Sequence, residues 1–467
     1  MSQQLGEIES NVDKPIEGVP RVPGSLQLRS YQEEAVTNWF KNQGRGTFKM
    51  ATGSGKTIAA LALVTELYSQ IGLQGVLIIC PYRHLVTQWA RECQEFGINP
   101  LLAFETVHSW QPQLSAYLYQ IHTGTLSFFT VITTNATLIS ERLQSQLRYF
   151  PAKTLIIGDE AHNLGTPRLE QSLPRHLGLR LGLSATPERH FDEAGTDAIF
   201  DYFGPVLAPE LALADAIRLG ALVRYRYYPI LVELTNTESR AYRRLTTRIG
   251  WALMNQEKLD FNDTVTSLLV RRSRIIASAA NKLEALRQLM SKRLQTNRTL
   301  FYCGDGAVET LNIYQRQMVA VTQLLGKELG YRVNTYTADT PIEEREQLRR
   351  QFETGELQGL VAIRCLDEGI DIPAIQTAVI LASSRNPRQF IQRRGRILRP
   401  HPDKERATLF DMIVLPPDLG RETLEVERNL LKKELKRFLE FADLADNAGE
   451  ARVQLLDLQK RYGLLDL

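Results

Sequence analysis

The chain has few cysteines and no long apolar run, and each shortage excludes a class of protein. Its 467 residues include four cysteines, Cys80, Cys93, Cys303 and Cys365, none in a Cys-x-x-Cys pair. The sequence therefore predicts neither a zinc ribbon nor a disulfide framework. No apolar stretch approaches the ~18 residues of a membrane-spanning helix. The polar N-terminus, 1–14, lacks the apolar core of a signal peptide, so we expect a cytoplasmic protein without a membrane partner.

The chain also lacks a strong net charge. It carries 56 Lys and Arg against 53 Asp and Glu, for a formal net charge of +3. Because the chain is no polycation as a whole, any nucleic-acid binding must come from local basic patches. At 467 residues the chain is about three times as long as a ~150-residue domain. We therefore expect two or three domains.

Short apolar runs alternate with helix-like segments along most of the sequence. Continuous apolar runs are typical of strands buried on both faces of a parallel sheet. The runs lie at 76–80, 128–133, 154–157 and 181–183, and again at 299–303, 360–363, 377–381 and 408–414. This pattern predicts two α/β lobes. The predicted divisions are a flexible leader at 1–24, lobe 1 at 25–205, a connector or helical insertion at 206–280, lobe 2 at 281–415 and a helical tail at 416–467.

A phosphate-binding loop is indicated by the residues 50–57, Met-Ala-Thr-Gly-Ser-Gly-Lys-Thr. Gly53 and Gly55 allow the backbone to curl so that successive N–H groups point at phosphate oxygens. Lys56 is expected to reach the β- and γ-phosphates of ATP, and the Thr57 hydroxyl to bind Mg²⁺. The strict pattern begins with glycine, where this chain has methionine. The alternative interpretation is a Gly/Ser-rich turn with an unrelated lysine.

Two adjacent carboxylates follow a later apolar run, 155–158. Asp159, at the carboxyl end of the predicted strand, is expected to hold Mg²⁺. Glu160 is expected to orient or deprotonate the attacking water. Active sites of open α/β sheets lie at that end of the strands. A charged helix start with a capping aspartate is the alternative, and the phosphate loop on an earlier strand argues against it.

Six arginines and no acidic residue lie at 385–400. They interrupt apolar residues after a predicted strand, where a second lobe would present arginine fingers. We predict that Arg396 and Arg399 stabilise charge on the transferring γ-phosphate. Gln392 is predicted to sense the γ-phosphate or its water, and Arg393 to pair with a carboxylate. The alternative is a solvated basic face.

Eight segments follow one another in an order that resembles a known family. They lie at 28–32, 50–57, 80–89, 133–135, 159–162 (Asp-Glu-Ala-His), 184–187 (Ser-Ala-Thr-Pro), 367–373 and 392–399. The series resembles the motifs of superfamily-two DEAH-box helicases and translocases. In overall type it is similar to XPB-type and RadD-type DNA motors and to the motor subunits of restriction systems. The sequence contains no Arg-Glu-Asp triplet of the kind that XPB proteins carry.

The resemblance implies a fold and a set of residue roles. The fold is two RecA-like parallel-sheet lobes in tandem, with a helical connector, a helical C-terminal tail and ATP hydrolysed between the lobes. The implied nucleotide-binding residues are Gln32, Thr52, Gly53, Ser54, Gly55, Lys56, Thr57, Gly369 and Asp371. Residues implied to couple the nucleotide site to a nucleic-acid strand are His162, Ser184 and Thr186. Residues implied to contact the strand are Arg83, Thr133, Thr134, Thr337 and Arg364.

The predicted function is that of an ATP-dependent DNA helicase or translocase that uses ATP and Mg²⁺. The resemblance to DNA motors favours DNA, and an RNA helicase is the alternative, because its fold and ATP site would be the same. A catalytically silent nucleic-acid-binding scaffold is a further alternative, although Lys56, Asp159 and Glu160 are all present. A motor of this size also predicts a protein partner, such as a nuclease, in a defence, restriction or repair complex.

Overall fold

The computed structural model describes residues 18–189, 192–254, 263–304, 307–310, 313–337, 340–363, 372–382, 394–417 and 421–466. The chain divides into two compact units. The first unit contains Met1–Met50 and Gly55–Glu210, and the second contains Ala51–Ser54 and Leu211–Leu467.

The helices of the first unit are α1 to α8, and those of the second are α9 to α16. Their bounds are α1 Ser30–Lys41, α2 Lys56–Ile71, α3 Arg83–Glu95, α4 Val107–Thr123, α5 Asn135–Leu138, α6 Glu141–Leu147, α7 Pro167–Gln171, α8 Glu193–Phe203, α9 Leu213–Arg218, α10 Asn236–Met254, α11 Asp263–Ala277, α12 Asn281–Ser291, α13 Gln317–Gln323, α14 Ile342–Thr354, α15 Arg421–Asp443 and α16 Ala448–Tyr462. A 3₁₀ turn occupies Ala161–Gly165, and a π-helical turn, Leu324–Glu328, continues α13.

The strands fall into two sheets and one hairpin. Their bounds are β1 Arg45–Met50, β2 Gly75–Cys80, β3 Leu101–Ala103, β4 Phe129–Thr134, β5 Thr154–Asp159, β6 Leu179–Ser184, β7 Val206–Leu211, β8 Arg224–Glu233, β9 Thr299–Cys303, β10 Ala307–Thr310, β11 Ile313–Arg316, β12 Val333–Tyr336, β13 Gly359–Ile363, β14 Thr377–Ile380 and β15 Arg406–Leu415. The hairpin is β10 with β11, which pair antiparallel.

The sheet of the first unit has seven strands in the order β3-β4-β2-β5-β6-β1-β7. The pairs from β3 through to β1 are parallel. Every residue of β2 and β4 is buried, which explains their unbroken apolar sequences, because helices cover both faces of such a sheet. The four strands predicted for this lobe are confirmed as β2, β4, β5 and β6.

The sheet of the second unit has six strands in the order β12-β13-β9-β14-β15-β8, and all of its pairs are parallel. The four predicted strands are confirmed as β9, β13, β14 and β15. Side chains from β9, β13 and β14 form a core with α12 and α13, and this core includes Leu286, Phe301, Val321, Val361 and Val379. The predicted fold class, two parallel-sheet lobes in tandem, is therefore confirmed.

The stretch predicted as a connector or helical insertion, 206–280, contains strands as well as helices. Two strands lie within it: β7 belongs to the first sheet and β8 is an edge strand of the second. β8 does not form one apolar run, so the search for apolar runs did not find it. Its residues alternate between exposed and buried positions, most regularly from Arg224 to Tyr227. The helical part of this stretch is α9, α10 and α11.

The predicted flexible leader, 1–24, can be examined only from residue 18. Within 18–24 the backbone is tied to the first unit, because the Gly18 N–H donates to the Gly97 carbonyl at 3.2 Å and the Arg21 N–H donates to the Phe96 carbonyl at 2.9 Å. Residues 18–24 are therefore attached to the first unit, which corrects the prediction for these seven residues. Residues 1–17 lie outside the described residues.

The helical tail is present, and its apolar side is buried. Leu431, Leu435, Phe438, Leu439 and Ala442 of α15 are each at most 6% exposed. α16 packs on α15 and on β8. The tail therefore completes the core of the second unit, as its apolar spacing predicts.

The structure agrees with the composition on two further points. In the parts of the chain that the structure describes, no helix is both long enough and apolar enough to cross a membrane. Cys80, Cys93 and Cys303 are buried, Cys80 in β2 and Cys303 in β9. Cys365 lies outside the described residues.

Candidate active site

Three of the predicted motifs meet at one edge of the first sheet. The phosphate loop follows β1, the Asp159–Glu160 pair ends β5, and Ser184 ends β6. Since these strands are parallel, their carboxyl ends lie together: Lys49 is the register partner of Ser184, and Asp159 is the register partner of Leu183. This edge is where active sites of open α/β sheets form.

The phosphate loop runs from Ala51 to Gly55 and ends where α2 begins at Lys56. Gly53 and Gly55 have φ angles of +85° and +86°, in the left-handed region that side chains disfavour. Ser54 is buried, and its hydroxyl donates to the Ala51 carbonyl at 2.7 Å. The loop therefore has the curled backbone that points N–H groups toward an anion at a helix N-terminus.

Lys56 lies at the first position of α2, and its ammonium group donates to the Met50 carbonyl at 3.0 Å. The side chain is half-buried. This bond places the Lys56 ammonium group beside the residue that precedes the phosphate loop. Thr57, the predicted Mg²⁺ ligand, follows it on the same helical turn and is also half-buried.

Gln32 of α1 packs directly against the phosphate loop. Its Nε2 donates to the Gly55 carbonyl at 3.0 Å, and its Oε1 accepts from the Arg29 N–H at 2.9 Å. A Cβ at Gly55 would lie 2.6 Å from the Gln32 Nε2, so a side chain there would displace the Gln32 amide from this bond. The structure thus places Gln32 beside the loop, and its role in reading adenine stays a prediction.

Asp159 is held by two donors. Trp89 Nε1 donates to Oδ2 at 2.9 Å, and the Glu160 N–H donates to Oδ1 at 3.0 Å. Burial raises the pKa of Asp159 to about 6, and the adjacent Glu160 carboxylate adds to the rise, while the Trp89 bond and the Lys56 charge oppose it. A carboxylate in this setting gains strongly from a bound cation, because the cation favours its charged form.

Glu160 has a backbone φ of +45°, which is uncommon for a residue with a side chain and costs of order 1 kcal/mol. Its Oε2 is buried and has no hydrogen-bond partner among the described residues; His162 Nδ1 lies 3.5 Å away, within ion-pair range but beyond hydrogen-bond geometry. A buried carboxylate oxygen without a hydrogen bond is costly unless another molecule supplies one. This orphaned oxygen fits the predicted contact with a water.

A chain of contacts links Glu160 to the Ser-Ala-Thr motif. His162 Nδ1 lies 3.1 Å from Ser184 Oγ, and Ser184 Oγ accepts from the Thr186 N–H at 3.1 Å. His162 and Ser184 are buried, and the Thr186 hydroxyl is buried without a hydrogen-bond partner within the described parts of the chain. His162 and Thr186, two of the predicted coupling residues, therefore each contact the third, Ser184. The coupling itself stays a prediction.

The loop and the carboxylates fit ATP and Mg²⁺. The backbone of the loop offers an anion cradle, and Thr52 Oγ1, like Glu160 Oε2, is a buried polar atom without a hydrogen-bond partner in the described structure. The described residues contain no cluster of three or more His, Cys, Asp or Glu that could hold a metal. A magnesium ion bound through one or two protein oxygens and phosphate oxygens needs no such cluster.

The predicted residues of the second unit are only partly described. Arg396 is buried and Arg399 is half-buried, next to one helical turn at 394–397. Gly369, Asp371, Gln392 and Arg364 lie outside the described residues, as does Arg393. Arg394, the residue after Arg393, pairs with a carboxylate: its Nη2 is 2.5 Å from Asp411 Oδ2.

The structure corrects two of the predicted strand contacts. Thr133 is 0% exposed, and its hydroxyl donates to the Ala103 carbonyl at 2.8 Å. The Thr134 side chain is also buried, and its hydroxyl accepts from the Thr137 N–H at 3.2 Å as the N-cap of α5. Both hydroxyls are used inside the fold, so neither side chain is available to a nucleic-acid strand. Arg83 is exposed and Thr337 is half-buried, and their strand contacts stay predictions.

Sequence reasoning missed a cleft between α10 and α11. The cleft encloses about 770 Å³, and its lining includes Arg244, Arg248, Arg271, Arg274 and the indole of Trp251. All four arginines are exposed, and within the described residues none of them forms an ion pair. In the sequence, only the run Arg-Arg-Ser-Arg at 271–274 indicated this cleft. Arg244 and Arg248 stand among other residues of α10, and only the packing of α10 on α11 brings them beside that run.

Two family models match the chain. Residues 25–189 match the model described as "Type III restriction enzyme, res subunit", and residues 281–401 match the model described as "Helicase conserved C-terminal domain". These ranges cover the phosphate loop, the Asp159–Glu160 pair and Arg396. The two lobes therefore each contain a recognised helicase or restriction-motor domain.

Curated proteins match most of the chain. "DNA 3'-5' translocase XPB2" of Sulfurisphaera tokodaii is 30% identical over 430 residues, which span 87% of this chain and 86% of that protein. "Putative DNA 3'-5' helicase Rad25" of Haloarcula marismortui is 27% identical over 88% of this chain, but the match spans only 56% of the relative.

Solved structures share the fold at low sequence identity. "ATP-dependent Type ISP restriction-modification enzyme LlaBIII bound to DNA" matches with a TM-score of 0.60 and 16% identity, over 94% of this chain and 32% of that one. The "Pyrococcus furiosus Hef helicase domain" matches with a TM-score of 0.51 and 16% identity, over 86% of this chain and 98% of that one. The similarity to the XPB2 translocase over 87% of this chain, with the family models matched in both lobes, shows that the protein belongs to the superfamily-two helicases, in the family of XPB-type motors, and that it is an ATP-hydrolysing enzyme.

Proposed function

We propose that the protein is a DNA-stimulated ATPase that translocates along DNA. The observation that carries the proposal is the shared sheet edge, where a phosphate loop and an aspartate–glutamate pair follow parallel strands of one sheet. The curated relatives are named as 3'-5' DNA translocases or helicases, which supports DNA over RNA as the polymer. Translocation is proposed ahead of strand opening because the sequence lacks the Arg-Glu-Asp triplet of XPB proteins.

In the proposed reaction, Lys56 and the loop N–H groups bind the phosphates of ATP, and Glu160 orients the attacking water. Bound Mg²⁺ supplies positive charge beside the β- and γ-phosphates. Asp159 and Thr57 are the residues that would hold it. Arg396 and Arg399 of the second unit are proposed to stabilise the charge that develops on the transferring phosphoryl group. Glu160 Oε2, which is buried without a hydrogen-bond partner in the described residues, is the atom that would accept the proton of the attacking water.

The cleft between α10 and α11 is proposed as a contact for a DNA strand. These two helices carry seven arginines against two carboxylates, Glu238 and Asp263. Trp251 is 64% exposed, an unusual position for the largest apolar side chain unless it has a binding role. Proteins that bind single-stranded nucleic acid without sequence preference combine basic side chains, which contact phosphates, with aromatic rings, on which bases stack.

The polymer is identified by comparing ATP hydrolysis with single-stranded DNA, duplex DNA and single-stranded RNA of the same length. We expect DNA to stimulate hydrolysis and RNA to stimulate it less. The stimulation is expected to weaken as salt rises, because each phosphate contact releases counterions. Equal stimulation by RNA would support the RNA helicase instead. No response to any polymer would contradict the proposed motor.

The cleft is tested separately with the Arg244→Ala/Arg271→Ala double variant and with Trp251→Ala. We expect the double variant to bind DNA more weakly. Its plot of log affinity against log salt concentration should be shallower, by about 0.7–0.9 in slope for each lost phosphate contact. Trp251→Ala should weaken binding by about 1–3 kcal/mol for a stacked base. Arg240→Ala is the matched control, because Arg240 is an exposed arginine of α10 outside the cleft lining. Variants that bind DNA like this control would show that the strand lies elsewhere.

A protein partner, in a defence, restriction or repair complex, also stays a proposal. The model matched by the first lobe is described as the res subunit of a restriction enzyme, and a subunit works within a complex. Purification of the tagged chain from its native host, followed by mass spectrometry of co-eluting proteins, tests this. Recovery of the chain alone at native expression level would contradict it. The predicted cytoplasmic location is tested by fractionating the same cells.

A further inference from the structure

The second unit contains a buried arginine that faces away from solvent, immediately before the arginines proposed to act on ATP. Arg394 is 2% exposed, and its Nη2 lies 2.5 Å from Asp411 Oδ2 in β15, which is itself 0% exposed. The Tyr227 hydroxyl of β8 donates to the same Asp411 oxygen at 3.1 Å. A charged pair this deeply buried is stable only when its geometry is well satisfied.

The C-terminal tail covers this pair. The guanidinium carbon of Arg394 lies 4.4 Å from the ring centroid of Phe441, in α15. Phe441 is in turn fixed by two tyrosines of β8: Tyr225 stacks on it at a centroid distance of 4.3 Å, and Tyr227 meets it edge-on at 5.0 Å. The Tyr225 hydroxyl also donates to the Phe441 carbonyl at 2.6 Å. The ring is therefore held on its other sides and can support the arginine.

Arg394 begins the helical turn at 394–397, and this turn leads to Arg396 and Arg399. The turn is held from outside its own backbone at two further points. The Lys404 ammonium group donates to the Ile397 carbonyl at 3.0 Å, and the Val223 N–H donates to the Leu398 carbonyl at 2.8 Å. The side chain of Arg394 is thus the anchor at the start of the turn, and the tail residue Phe441 is part of that anchor.

We propose that Phe441 of the C-terminal tail and Asp411 of β15 are positioning residues for ATP hydrolysis, because they hold Arg394 and thereby set the place of Arg396 and Arg399. The inference rests on the proposed roles of those two arginines. It assigns the tail a function beyond completing the core. Phe441 touches neither ATP nor DNA in this proposal, so its effect should appear in turnover and not in nucleotide affinity.

The test uses the full chain with saturating DNA and measures kcat, KM for ATP and the melting temperature. Phe441→Leu keeps an apolar side chain and removes the ring. We expect kcat to fall about tenfold or more, since a misplacement of about 1 Å can cost about a hundredfold, while KM stays near that of the wild type. Leu435→Ala is the matched control, because Leu435 is a fully buried residue of the same helix that is not among the contacts of Arg394 described above. Its melting temperature should fall at least as far, with kcat within about twofold of the wild type.

A second variant separates a loss of kcat from a loss of folding stability. Arg394→Met/Asp411→Asn removes both charges of the pair together, so that neither of the two is left buried without the other. We expect this variant to melt near the wild type and still to show the loss of kcat. If both variants keep wild-type kcat, or if Leu435→Ala loses as much kcat as Phe441→Leu, the positioning role is overturned.

Arg396→Ala separates this inference from the proposed function. A strong loss of kcat in Arg396→Ala, together with the expected pattern above, supports both. A strong loss in Arg396→Ala with an unaffected Phe441→Leu overturns the positioning role alone. An active Arg396→Ala would overturn the role of the arginine turn itself, and with it this inference.

Discussion

The indole of Trp89 donates a hydrogen bond to Asp159, with 2.9 Å between Nε1 and Oδ2. Trp89 is 1% exposed, so its ring belongs to the core of the first unit. Its one polar atom nevertheless reaches the carboxylate that is proposed to hold Mg²⁺. An outer hydrogen bond of this kind orients a metal ligand and keeps it charged.

Trp89→Phe keeps an aromatic ring and removes the donor. The Trp89 bond lowers the pKa of Asp159 from the value that burial would give, so its loss should raise that pKa further above about 6. Because a protonated carboxyl does not hold Mg²⁺, we expect ATPase activity to fall about 10–100-fold at limiting Mg²⁺. The loss should be larger at pH 6 than at pH 8. Activity is measured against Mg²⁺ concentration at both pH values.

The control for this variant is Trp39→Phe, since Trp39 is equally buried and its Nε1 donates to the Arg180 carbonyl at 2.9 Å, away from the carboxylates. Both variants lose one indole bond. An equal loss of activity in both would mean that Trp89 acts only through stability.

Lys56→Ala should abolish ATP turnover and leave the fold intact. Lys56 is half-buried at the start of α2, and its ammonium group donates to the Met50 carbonyl, so removing this charge should leave the buried core in place. The measurement is steady-state ATPase activity with a thermal melt. Lys49→Ala, a lysine of β1 that pairs with Glu188 and Glu210, should keep activity. Near-normal hydrolysis by Lys56→Ala would refute the phosphate-loop assignment.

Glu160→Gln should bind ATP and hydrolyse it about 10²–10⁴ times more slowly, the usual cost of losing a general base. The amide has nearly the shape of the carboxylate, so the strained backbone at this position should not change. Single-turnover hydrolysis and filter binding of labelled ATP measure the two effects. Glu170→Gln, at a half-buried carboxylate of the same unit that pairs with Arg175, is the control. Wild-type turnover in Glu160→Gln would move the water-activating role to another residue.

Truncation after Pro417 should lower the melting temperature, because it removes α15 and α16 from the core of the second unit. A milder version is Leu439→Ala, a buried site where we expect a cost of about 2–5 kcal/mol. Leu444→Ala, at a side chain that is 38% exposed, should change stability by less than about 0.5 kcal/mol. A truncated protein with an unchanged melt that loses a co-purifying partner would show instead that the tail is a docking element.

The strands that could be predicted are those whose own sequence is an unbroken apolar run. Strands such as β2 and β9 are unbroken apolar runs, and each can be found without knowledge of its neighbours. β1 was missed because its sequence, Arg-Gly-Thr-Phe-Lys-Met, contains charges, and β8 because it alternates. Their places in the sheets depend on pairing with β6 and β15, which lie more than a hundred residues away.

The sequence by itself determined the order of the motifs, and with it the phosphate loop, the Asp159–Glu160 pair and the family, because each motif is a short run whose chemistry depends on adjacent residues. The tertiary structure decided which side chains those motifs touch. The bond from Trp89 to Asp159 spans 70 residues, and the support of Arg394 by Phe441 joins a turn to a tail helix. Thr133 has the same sequence signal whether it is exposed or buried, and only the pairing of β4 with β3 directs its hydroxyl into the core. Such contacts follow from strand register and helix packing. Because register and packing depend on many weak interactions between distant parts of the chain, a short sequence pattern does not predict them.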